Sequence, residues 1–179
     1  MAKNFGNVFQ RFIYETERFN GVAKLLKVLG STIDGFALPV KAEHKQFLVK
    51  VLLPLHKPEC FEHYHAQRTY CLHKFVGKNA TLAEEVVKGL LMFWPKICSE
   101  KEFRFLQDIE NILYVAAPTQ FAKIKDALFT QVAKCLCNPQ CYVAERALYL
   151  WKNDYILSLI KEQQPDGDVA DIPGDVLRF

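Results

Sequence analysis

Signals that start helices recur along this 179-residue chain in two interleaved series, and that recurrence narrows the fold more than any other feature. One series runs Lys41, Thr81, Thr119, in steps of 40 and 38; the other runs Phe61, Ser99, Asn138, in steps of 38 and 39. A helix pair repeated every ~40 residues buries its apolar faces only against its neighbours. The expectation is therefore an all-α array of stacked helix pairs.

Each mark has a local physical reason. Apolar residues recur at helical spacing in the stripes Phe47, Val51, Leu55, then Val86, Leu90, Phe93, then Phe105, Ile109, Ile112. Thr81-Leu82-Ala83-Glu84 and Ser99-Glu100-Lys101-Glu102 read as capping boxes, in which the hydroxyl accepts from a free backbone N–H and the Glu reaches back. Asn138-Pro139 sets a capping residue before a proline whose missing N–H costs nothing in a first turn. Helices stop ahead of Pro95 and Pro118. Together these marks predict helices over 5–18, 21–35, 42–56, 62–77, 82–94, 100–116, 119–136 and 139–161, the last broken near Asn153. The fold class that results is an all-α, HEAT- or armadillo-like helical-repeat solenoid of about four helix pairs.

Half of the residues are apolar, enough for a sizeable core. The formal net charge of +3 does not mark a nucleic-acid binder. Residues 163–179 hold four Asp and one Arg among two Pro and two Gly, leaving 22 basic and 16 acidic residues before them. Residues 1–162 thus read as the repeat domain, and 163–179 as an acidic tail whose composition suits disorder. No long uncharged apolar run suggests a membrane span, and the first residues lack a signal peptide's apolar core. The expected setting is intracellular, cytoplasmic or nuclear, with all six cysteines reduced.

Six blocks in order carry a resemblance. They are Phe12-Ile13-Tyr14-Glu15-Thr16-Glu17, Gly35-Phe36-Ala37-Leu38-Pro39, Glu43-His44-Lys45, the run from Lys50 to Lys57, Trp94-Pro95-Lys96, and the run from Val143 to Tyr149. Over Phe9 to Ile160 the chain resembles the B-prime regulatory subunits of protein phosphatase 2A. The resemblance implies a HEAT-like solenoid without catalysis or cofactor. It also implies docking on the phosphatase scaffold and catalytic subunits, and recruitment of substrates carrying a Leu-x-x-Ile-x-Glu motif. The part of the family's motif groove that carries over is Val28, Thr32, Lys41 and His44, with the remainder on a helix ahead of Met1. The chemistry suits an acidic peptide: Val28 and Thr32 lie one helical turn apart, while Lys41 and His44 supply donors. Lys27 stands where the family carries an acidic residue, and Thr32 where it carries a larger aliphatic one. Leu106-Gln107-Asp108-Ile109-Glu110-Asn111 is poorer in carboxylates than the family's acidic patch. Beyond Lys161 the likeness ends.

Cys60, His63, His65, Cys71 and His73 are zinc-ligand types, but their spacing matches no standard finger, and core or surface roles are the expectation. Cys135, Cys137 and Cys141 lack a nearby His and read as core thiols at a helix junction. No cysteine has a sequence-evident base and orienting group, so no nucleophile is assigned. Trp94 and Trp151 read as core anchors. Phe5, Phe9, Phe12 and Ile13 make the first helix too apolar for exposure, and a cover supplied by a longer parent is the expectation. Leu157-Ser158-Leu159-Ile160-Lys161-Glu162 itself fits Leu-x-x-Ile-x-Glu, against the simpler reading that Leu157 and Ile160 pack inward. Two functional classes follow. One is a regulatory subunit of the phosphatase; the other is a stand-alone helical-repeat adaptor, or competitor, that has lost phosphatase binding.

Overall fold

The computed structural model describes residues 2–16 and 21–162, and among them every regular element is helical. α1 (Ala2–Arg11) continues into a π-helical turn (Phe12–Thr16), and α2 spans Val22–Asp34. α3 (Ala42–Phe47) also widens into a π turn (Leu48–Leu52), followed by 3-10 segments at Pro54–His56 and Glu59–His63. Then come α4 (His65–Lys78), α5 (Leu82–Met92), α6 (Ser99–Leu113), α7 (Pro118–Ala122), α8 (Lys125–Leu136), α9 (Cys141–Trp151) and α10 (Asp154–Glu162). The expected acidic tail, 163–179, lies outside the described residues.

Two layers of helices run side by side. In one, α2 packs on α4, α4 on α6, and α6 on α9; in the other, α1 packs on α3, the π turn after α3 on α5, α5 on α7 and α8, and α7 on α10. The chain is an all-α helical-repeat solenoid. Polar bonds between successive pairs keep the same period. Lys78 Nζ donates to the Asp34 carbonyl 44 residues away, Cys71 Sγ to the Leu26 carbonyl 45 away, and Asn138 Nδ2 to Glu102 Oε2 36 away. Arg68 pairs with Asp108 at a separation of 40, and Lys123 with Glu84 at 39. All three predicted stripes turn into the core, with only Phe93 half-buried.

The expected helix over 42–56 is not uniform, and Pro54 is the reason. Its ring cannot follow an ideal turn and it has no N–H to give. The coil widens before it, the Leu53 N–H reaching the Leu48 carbonyl at 2.9 Å. The break leaves carbonyls free for side chains: Arg68 Nε donates to Leu52 O at 3.2 Å and Nη2 to Leu53 O at 3.4 Å. Arg68 then reaches the next pair, Nη1 donating to Asp108 Oδ2 at 2.7 Å, while His65 Nε2 donates to Asp108 Oδ1 at 3.0 Å and the Thr69 hydroxyl also bonds to it. A buried polar hub therefore joins the π turn, α4 and α6.

Both predicted capping boxes are replaced by other bonds. The Thr81 hydroxyl donates to Asn79 Oδ1 at 2.7 Å, and Glu84 is held by Lys88 and Lys123. Glu102 does not reach back to Ser99, because Trp94 Nε1 and Asn138 Nδ2 take its two oxygens at 2.9 and 2.7 Å. The expected 119–136 helix breaks between α7 and α8, and the last expected helix breaks where foreseen. There Asn153 Oδ1 accepts from Tyr155 N at 3.0 Å and Ile156 N at 3.3 Å, a side-chain cap for α10. Of the four apolar residues named on the first helix, Phe5 is half-buried and the other three are covered within the chain. Phe9, Phe12 and Ile13 are buried by this chain's own residues, with α1 packing on α3 and Phe12 edge-on to Tyr64.

Candidate functional site

Where α2 meets α3, the chain leaves an open cleft lined by Phe5, Leu29, Thr32, Phe36, Glu43, His44, Phe47 and Phe75. Its walls come from five places. Leu29 and Thr32 sit three apart on α2, as do His44 and Phe47 on α3; Phe5 arrives from α1, Phe75 from α4, and Phe36 from the α2–α3 connection. Helix periodicity accounts for both pairs. The lining is mainly apolar, with the Thr32 hydroxyl, the Glu43 carboxylate and the His44 imidazole as polar groups.

Of the four residues carried over from the resemblance, Thr32 and His44 share this cleft. Val28 lies one turn earlier on α2, 56% exposed and outside the lining. Lys41 stands at the start of α3, exposed, with an extended backbone (ψ 152°) whose carbonyl accepts from His44 N at 3.0 Å and Lys45 N at 3.2 Å. The Thr32 hydroxyl donates to the Val28 carbonyl at 2.8 Å, so its oxygen faces a ligand as an acceptor only. Elsewhere on α2, Lys24 and Lys27 are exposed and in no ion pair among the described residues. The cleft is thus an apolar slot with the Glu43 carboxylate in its lining and Lys41 exposed at the start of α3.

His44 is the best-placed polar group in the cleft. Its ring lies flat on Phe36, centroids 3.9 Å apart and planes within 6°, and Phe36 is edge-on to Phe75 at 5.8 Å. Nδ1 of His44 is buried with no hydrogen-bond partner among the described residues. Nε2 is therefore the ring nitrogen left to bond a ligand. Reading the sequence alone missed Phe36, Leu29, Phe47, Phe5 and Phe75 as lining. Phe36 stood within a block that carries the resemblance, and the spacing of three from His44 to Phe47 was the remaining signal.

The other titratable clusters are occupied by packing. Asp108 and Glu110, within the stretch read as a thinned acidic patch, face neighbouring helices: Asp108 is wholly buried in the hub, and Glu110 pairs with Arg146 and accepts from Asn153 Nδ2 at 2.9 Å. Burial raises the Asp108 pKa, but the His65 hydrogen bond and the Arg68 charge, with Thr69, outweigh it and hold the carboxyl below its usual value. Burial pushes the Cys71 thiol up to about 12, against the opposing Arg68 charge, and that of Cys135 to about 11. Cys60 is half-buried and His63 exposed, while His65 is committed to Asp108; of the three thiols expected in the core at the α8–α9 junction only Cys135 is buried, Cys137 and Cys141 being exposed. Among the described residues, no three His, Cys, Asp or Glu side chains are grouped to hold a metal ion. Trp94 and Trp151 are half-buried, edge-on to Phe105 and Phe129 respectively. In α10, Ile156 and Leu159 are the fully buried pair, with Leu157 and Ile160 half-buried beside them, so the Leu-x-x-Ile-x-Glu pattern there is largely packed against the core. No described helix is long and apolar enough to cross a membrane.

Comparison with known proteins bears on this geometry. The family described as protein phosphatase 2A regulatory B subunit (B56 family) matches residues 1–166. The human serine/threonine-protein phosphatase 2A 56 kDa regulatory subunit alpha isoform is 59% identical over 162 residues, covering 90% of this chain and 33% of its own length. Regulatory subunit pptr-1 of Caenorhabditis elegans is 58% identical over 162 residues, 90% of this chain and 30% of its own. The delta isoform of Oryctolagus cuniculus is 53% identical, again over 90% of this chain and 28% of its own length. The chain spans about a third of the length of the curated relatives it matches.

Proposed function

The chain belongs to the B56 family of protein phosphatase 2A regulatory subunits, and from that premise we propose that it works without catalysis, binding partners on its helical surface. The cleft between α2 and α3 takes a short acidic motif of the Leu-x-x-Ile-x-Glu type. An apolar side chain of the motif enters the slot of Leu29, Phe36, Phe47 and Phe75, against Thr32. His44 Nε2 donates to the peptide, and Lys41 offers its ammonium to the acidic end. Val28 adds apolar contact along the exposed edge of α2. The observation that carries the reading is the meeting of Thr32 and His44 in one apolar cleft, with Lys41 exposed at the start of the same helix as His44.

In the same reading the HEAT-like solenoid docks on the phosphatase scaffold and catalytic subunits and brings motif-bearing substrates to them. Curved arrays of helix pairs suit that task because they offer long continuous surfaces for extended partners. The setting is cytoplasmic or nuclear, with neither nucleic acid nor membrane as partner. Co-precipitation tests the docking: purified scaffold and catalytic subunits are retained together on immobilised chain. Absence of both from the bound fraction contradicts docking and favours a stand-alone adaptor. The motif reading is tested separately, by capture of a Leu-x-x-Ile-x-Glu peptide but not of its Glu→Ala counterpart.

A further inference from the structure

We infer that Phe36 is a positioning residue for motif recognition, fixing the plane of the His44 imidazole before a ligand arrives. The inference rests on the motif reading of the cleft and adds a residue to it. A histidine side chain in the first turn of a helix has a soft terminal torsion, so its ring plane is free to turn unless something packs against it. In this chain that freedom is constrained. One face of the His44 ring is covered by Phe36 at 3.9 Å and 6°, a flat stack that a rotated imidazole loses. Phe36 itself is held from behind by the edge of Phe75, at 5.8 Å and 61°.

Local backbone explains how the plate is placed. Phe36 follows the end of α2, where its N–H donates to the Ile33 carbonyl at 3.0 Å and the preceding Gly35 N–H to Thr32 O at 3.1 Å. That closing turn brings the aromatic ring from the end of α2 against the first turn of α3. Nδ1 of His44 is buried with no hydrogen-bond partner among the described residues, which leaves Nε2 as the ring nitrogen available to a ligand.

A preorganised side chain loses less freedom when it binds, and one immobilised rotor corresponds to roughly a three- to tenfold change in affinity. Phe36→Leu keeps an apolar group against Phe75 but removes the flat plate; Phe36→Tyr restores it. Binding of a fluorescein-labelled Leu-x-x-Ile-x-Glu peptide to the whole chain, followed by polarisation, closes a cycle with His44→Ala. Phe36→Leu is expected to weaken binding roughly three- to tenfold with His44 present, to change little once His44 is alanine, and to be rescued by Phe36→Tyr. The carbon-bound ring protons of His44 should lie upfield in the parent and move downfield in Phe36→Leu, a ring-current signature that loss of folding alone does not mimic while the remaining spectrum is unchanged. An equal loss in both His44 backgrounds, or unmoved ring protons, overturns the positioning role and leaves the motif reading standing. Failure of the parent chain to bind the peptide overturns the motif reading and this inference with it.

Discussion

Arg68 and Asp108, forty residues apart, meet with both side chains fully buried, Nη1 donating to Oδ2 at 2.7 Å. The pair joins α4 to α6, and through the Leu52 and Leu53 carbonyls it also holds the turn that Pro54 opens. Removing one partner strands a charge without water. Asp108→Ala is expected to destabilise the chain by about 3–5 kcal/mol, whereas the double change Arg68→Met with Asp108→Leu costs less than that single one. Urea unfolding of the three proteins checks the order. A double variant as unstable as Asp108→Ala contradicts it.

His56 makes stability depend on pH. Burial first, then the Arg68 charge with those of Lys101 and Lys57, push it down from 6.5 to about 4, although Nδ1–H donates to the Leu53 carbonyl at 2.6 Å, which pulls the other way. The folded chain thus binds fewer protons than the unfolded one between those values, so stability is full above pH 6.5 and falls as pH drops toward 4. The loss amounts to roughly 3 kcal/mol. Asp108, held below its usual value, adds a second loss on further acidification, through its folded value. Unfolding free energies measured from pH 7.5 to 4.5 should slope downward, and His56→Phe should flatten that slope whatever it does to stability at neutral pH.

Gly89 marks the closest packing of α5 on the turn after α3. A Cβ built there lies 2.7 Å from Leu53 Cδ1, and Leu53 is buried beneath the carbonyl that both Arg68 and His56 use. Alanine favours a helix interior by about 1 kcal/mol over glycine, while overpacking costs roughly 1–3 kcal/mol. Gly89→Ala should therefore lower the melting temperature, and Gly89→Ala with Leu53→Val should recover part of the loss. A rise in melting temperature for the single variant contradicts this reading of the contact.

Helix order and period were legible in the sequence because they rest on local chemistry. Periodic apolar stripes, prolines at Pro95 and Pro118, and the break near Asn153 depend on residues close by in the chain. Long-range bonds were not legible. Thr81 and Glu102 carry the signature of capping boxes, yet Asn79, Trp94 and Asn138 claim them, and only packing brings Asn138 within 2.7 Å of Glu102. The same limit applied to the cleft. Thr32 and His44 were named through a resemblance, while the Phe36 plate and the Phe5 and Phe75 walls arise from elements 30 to 70 residues apart. Asp108 and Glu110 stood in a stretch read as a thinned acidic patch, and the solenoid turns both between helices.

The central claim concerns where a motif peptide sits. Titrating a Leu-x-x-Ile-x-Glu peptide into the isotopically labelled chain and following amide shifts tests it most directly. The account predicts saturable changes centred on Thr32, Phe36, Lys41 and His44, and their loss with His44→Ala or with the motif's Glu replaced by Ala. Shifts confined to other helices, or none at saturating peptide, contradict it.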